Sequence, residues 1–86
     1  MTTVIEVKTR KMFGPGWATV ALIEDTALMH RFFAYSLITK DYPKASDVGE
    51  VKKRGHRLPA HVARMHFPQF SRLRRGALAL QNNVAA

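Results

Sequence analysis

The sequence predicts an α+β domain, on three observations. A strand-turn-strand signature stands at the N-terminus, a helix-spaced apolar stretch occupies the middle, and short basic segments follow residue 50. The elements read as an N-terminal β-hairpin, a central apolar helix, and two or three short basic helices. With 86 residues the chain makes one domain, 1–86, of the size that buries only about two-thirds of its unfolded surface. It has no cysteine, so neither a disulfide nor a thiolate metal site supports it. Apolar packing must hold the fold.

Residues 3–13 carry Val4, Ile5, Val7 and Thr9 with Glu6, Lys8, Arg10 and Lys11 between them, which is strand chemistry. Simple alternation puts Ile5, Val7 and Thr9 on one face and Glu6, Lys8 and Arg10 on the other. Gly14-Pro15-Gly16 forces a turn, and residues 17–23 pair back as the second strand.

Residues 24–39 read as the central helix. Glu24 and Asp25 suit the positive end of a helix dipole. Leu28, Phe32 and Tyr35 fall at i, i+4 and i+7, with Met29, Phe33 and Leu37 in the adjacent row. Leu28 and Phe32 are therefore expected in the core. A single helix over 18–39 is the alternative, and Pro43 ends either one.

Beyond residue 44 the chain is polar, with a short helix opened by Asp47 and Glu50 at capping-box spacing and stopped at Gly55. Lys52, Lys53 and Arg54 fall in its last turn. Pro59 opens a helix over 60–67 with Val62 and Met65 on one side. Pro68 precedes a last helix over 69–80, where Phe70, Leu73, Ala77 and Leu80 form a stripe, and residues 81–86 are expected to fray. Residues 47–67 have the outline of a helix-turn-helix, but Gly49 and Pro59 fit it poorly.

Charge is the main functional signal. The chain has 14 Lys and Arg against 6 Asp and Glu, a net charge of +8. All six acids lie in residues 1–50, where six bases balance them; residues 51–80 hold eight bases and no acid. A one-sign segment repels itself unless something neutralises it. The candidate contact residues are Lys52, Lys53, Arg54, Arg57, Arg64, Arg72, Arg74 and Arg75. Arginine predominates, and its planar fork suits phosphate and carboxylate. Arg72 and Arg75 are i, i+3 neighbours spaced for adjacent phosphates. Phe67 and Phe70 lie among these charges, but a domain this small needs its aromatics for the core, so burial is expected.

No catalytic pattern emerges. Ser36, Ser46 and Ser71 sit in no nucleophile motif, and Gly14-Pro15-Gly16 lacks phosphate-loop spacing. His56, His61 and His66 recur every five residues, a step of about 140° in a helix, which does not converge ring nitrogens on a metal. No enzyme activity, cofactor or metal is expected. The most apolar window, 17–38, is interrupted by Glu24, Asp25, His30 and Arg31, which argues against a membrane span. No secretory signal is apparent, and a chain without cysteine suits the cytoplasm. The expectation is a non-catalytic binding module that contacts DNA or RNA phosphates through its basic half. The alternative is a small regulator, an inhibitor or an assembly subunit of the phage or accessory-protein type, whose basic face docks on an acidic protein surface.

Overall fold

A computed structural model describes the backbone of residues 2–85 and the side chains of residues 2–80. It shows a four-stranded antiparallel sheet in sequential order, built from β1 (Thr2–Lys11), β2 (Trp17–Asp25), β3 (Phe32–Thr39) and β4 (His56–Arg57). Helices α1 (Ala45–Gly49) and α2 (Val51–Arg54) lie between β3 and β4, and α3 (Ala60–His66) and α4 (Phe70–Ala85) follow. The helical backbone of α4 thus continues five residues past Leu80; the side chains of 81–85, where fraying was expected, lie outside the described residues.

The N-terminal hairpin forms as its residues predict. Gly14 and Gly16 adopt φ of 85° and 121°, values that L side chains rarely reach, and the Met12 N–H donates to the Gly16 carbonyl at 3.2 Å. The face assignment shifts. Val4 pairs with Ile23 but Glu6 with Leu22, so Ile5 is the extra residue of a bulge, and Val4 replaces it beside Val7 and Thr9.

The structure overturns the central helix. Residues 24–39 comprise the end of β2, a turn and β3. Asp25 makes the turn: its Oδ1 accepts the Ala27 N–H at 3.1 Å, and its own N–H donates to the Arg31 carbonyl at 2.6 Å. Leu28 and Met29 lie exposed on this turn rather than in the core. The physical reason is two-sided burial. Strands covered on both faces carry continuous apolar runs, which lack period-two alternation and match helical spacing by accident. Leu22, Phe32 and Ala34 face Ala63, Phe67, Phe70 and Ala77 of the two C-terminal helices and the link between them. On the other face Ala21, Ile23, Phe33 and Leu37 cluster with Val51 of α2.

Local signals place the helices only in part. Asp47 is not the first cap. It sits one turn inside α1, where its Oδ2 accepts the Lys44 N–H at 2.8 Å. Lys52, Lys53 and Arg54 do occupy the last turn of α2, and Gly55 ends it. In α3 the inward residue is Ala63, one helical turn before buried Phe67, while Met65 is 79% exposed. Small Ala63 lets the short helix approach the sheet closely. The chain over 47–67 is not a helix-turn-helix, because β4 intervenes and pairs with β3 at Tyr35 and Ser36.

Asp25 also fastens α2 to the sheet. The residue is only 5% exposed, and its Oδ2 accepts a hydrogen bond from Lys52 Nζ at 2.6 Å. The Lys52 ammonium and then the Ala27 N–H hold its carboxyl below the usual carboxylate range. Asp47 is lowered too, by the Lys44 N–H and then Arg54. A depressed folded pKa gives stability that is present above the ordinary carboxylate value and is lost as pH falls through the folded values. Thermal melts should therefore hold steady above about pH 5 and drop below about pH 4. Asp25→Asn should melt lower at neutral pH and lose less on acidification. A parallel acid drop in both proteins would remove Asp25 from this role.

Candidate anion-binding surface

The eight candidate cations do not form one patch. Two are neutralised within the fold: Lys52 by Asp25, and Arg54 by Asp47 at 2.9 Å with Glu50 at 4.0 Å. Lys53 is exposed on α2, and Arg64 is exposed on α3. The remaining four lie on β4 and α4.

Arg57 and Arg74 meet at one aromatic ring. Arg57 on β4 stands with its guanidinium carbon 5.4 Å from the Phe33 ring centroid, and that of Arg74 on α4 stands 5.1 Å from the same centroid. Arg74 also lies 4.5 Å from the Phe70 ring centroid, and its Nε donates to the Phe32 carbonyl at 2.8 Å. The carbonyl it reaches lies on β3 beyond the short pairing with β4, so Arg74 satisfies a sheet-edge acceptor while its charge remains. Partial burial, and then the charge of Arg57, lower the Arg74 pKa. Neither guanidinium has a carboxylate partner among the described residues. Two like charges are thus held at one ring by cation–π contact and one hydrogen bond, an arrangement that an oxyanion would relieve.

Arg72 and Arg75 lie elsewhere on α4, Arg75 about 100° and Arg72 about 160° round the helix from Arg74. One helical turn apart on α4, they are exposed and free of ion pairs among the described residues. Arg72 borders a shallow groove with Glu24, Arg31, Phe32, Leu73 and Leu80. Arg31 is there too, but its Nε is bound to Glu24 Oε2 at 2.6 Å. The expected burial of the two phenylalanines holds, since Phe67 and Phe70 are among the most buried side chains. Phe70 lies beneath Arg74 and Phe67 beneath Lys8 of β1, so neither ring is a stacking surface. No protein-family model, curated protein or solved structure matches the chain.

His56 lies on β4, and His61 and His66 stand five residues apart on α3. Among the described residues no group of three or more His, Cys, Asp or Glu converges, and no helix is long and apolar enough to cross a membrane.

One feature is hidden by summing charge over residues 1–50. Lys8, Arg10 and Lys11 fall in residues 7–23, which contain no acid at all. Two of them, Arg10 and Lys11, end β1 just before the hairpin tip, where Phe13 is fully exposed. A local charge window, in place of a half-chain sum, is the signal that finds it.

Proposed function

We propose that the chain is a non-catalytic nucleic-acid-binding module that holds backbone phosphates through the arginines of β4 and α4. The convergence of Arg57 and Arg74 on Phe33, with no carboxylate partner among the described residues, carries this reading. Arg75, and Arg72 farther round the same helix, supply further contacts. Phosphate fits better than an isolated carboxylate, because several forks at helical spacing match a repeating polyanion. Binding of this type releases counterions and weakens steeply with salt.

A salt titration of affinity against duplex DNA, single-stranded DNA and RNA tests the reading. The double variant Arg72→Ala, Arg75→Ala should weaken binding about equally across sequences and flatten the salt slope by about one per lost contact. Both side chains are exposed, so melting should change by no more than about 0.5 kcal/mol. A parent protein that binds none of the three tighter than about 10⁻⁴ M near physiological salt would overturn the reading. The cluster would then be a docking surface for an acidic protein.

A further inference from the structure

The hairpin tip is the most unusual surface outside the arginine cluster. Soluble domains often expose single apolar side chains in part, but here a whole aromatic ring stands free at a turn among cations. Phe13 is fully exposed, and Met12, Gly14 and Ala18 line a shallow depression beside it. Arg10 and Lys11 form the depression's polar wall. Lys11 Nζ also stands 5.2 Å from the Trp17 ring centroid, so the base of the tip is itself a cation–aromatic contact. The turn is held in shape by its two positive-φ glycines and the Met12–Gly16 hydrogen bond. An exposed ring on a restrained turn loses little freedom on binding, which favours its use as a contact.

We propose that this tip is a second nucleic-acid contact, in which Phe13 stacks on an unpaired base while Arg10 and Lys11 meet the flanking phosphates. The proposal rests on the nucleic-acid reading above and adds to it the single-stranded character of the ligand. Charge complementarity selects the occupant: the tip has the same sign as the arginine cluster, and residues 7–23 contain no acid. Single-strand binding pairs basic side chains with an accessible ring, and the tip carries Phe13 beside Arg10 and Lys11. The sheet also sets the spacing. Trp17, at the tip end, pairs with Thr39, and the arginine cluster lies at Phe33 on the same strand. Those rows are about 20 Å apart at about 3.4 Å per residue, a span of about six stacked nucleotides. Phe13 lies beyond the Trp17 row, so a strand that reaches both sites is longer than this.

The test measures fluorescence anisotropy of a labelled oligothymidylate long enough to span both sites, for the parent, Phe13→Ala, Phe13→Tyr, and Arg72→Ala with Arg75→Ala. Phe13→Ala should weaken binding about tenfold with the salt slope unchanged, and Phe13→Tyr should bind like the parent. All Phe13 variants should melt like the parent, since the ring is exposed. Unchanged affinity in Phe13→Ala, with a flattened slope in the arginine double variant, overturns the tip contact and leaves the nucleic-acid reading standing. A parent with no affinity for the oligonucleotide overturns both. A second arm uses phosphatidylserine–phosphatidylcholine vesicles: vesicle binding that Phe13→Ala abolishes, with oligonucleotide binding untouched, would make the tip a membrane contact instead.

Discussion

Phe67→Ala is expected to cost about 3–5 kcal/mol, enough to leave much of the chain unfolded at physiological temperature. Phe67 has no exposed surface and sits where α3 ends, in one cluster with Leu22, Phe32, Ala34, Ala63, Phe70 and Ala77. Removing its ring leaves a cavity that neither neighbouring helix can easily collapse into. Ala63 has no volume to lend, and Phe70 is fixed from above by Arg74. The side chain also holds an outer strand, because Lys8 of β1 stands 5.2 Å from its ring centroid and donates to the His66 carbonyl. Phe32→Ala should be nearly as costly, since Phe32 lies in the same cluster. Leu28→Ala supplies the contrast. At 46% exposed on the turn, Leu28 should contribute no more than about 0.5 kcal/mol. Urea unfolding of the three variants measures the differences. A Leu28→Ala cost equal to that of Phe32→Ala would restore the helix in place of β3.

Gly55→Ala is expected to destabilise the fold by about 1–3 kcal/mol, occasionally more, and to weaken anion binding as well. A Cβ at position 55 would lie 2.5 Å from the Ser36 carbonyl oxygen and 2.6 Å from that of Val51. Both are backbone atoms, one in β3 and one in α2, so no side chain can swing aside. Relief requires the α2–β4 link to move off β3. That movement breaks the pairing of Tyr35 with Arg57 and carries Arg57 away from Phe33. Gly49→Ala is the control, since nothing lies within 4 Å of its added Cβ. The urea midpoint and the oligonucleotide affinity of both variants check this. Parent-like values for Gly55→Ala would mean that the contact relaxes at no cost.

Arg57 and Arg74 show why a charge count finds a basic half without finding its site. Their summed charge is plain in the sequence, but they lie 17 positions apart on different elements. They meet only because two residues of β4 pair with β3 while α4 crosses the same strand. Lys52 and Arg54 illustrate the reverse. They look like the densest part of the cluster, yet Asp25 and Asp47 neutralise them, and the Asp25 partner is 27 residues away.

What the sequence determined by itself is local. Gly14-Pro15-Gly16 dictated the hairpin because backbone freedom there belongs to those residues, whatever they touch. Gly55, Pro59 and Pro68 marked helix ends and starts for the same reason, and the one-sign charge beyond residue 50 needed no structure to be seen. The tertiary structure alone decided the rest. Residues 32–39 became a strand because helices pack on both faces of β3 and remove the alternation that identifies a strand. The bulge at Ile5 turned Glu6 and Lys8 toward the helical layer, where Glu6 accepts from Gln69 and Lys8 meets Phe67. In both cases the deciding partners lie far along the chain, and short-range spacing carries no record of them.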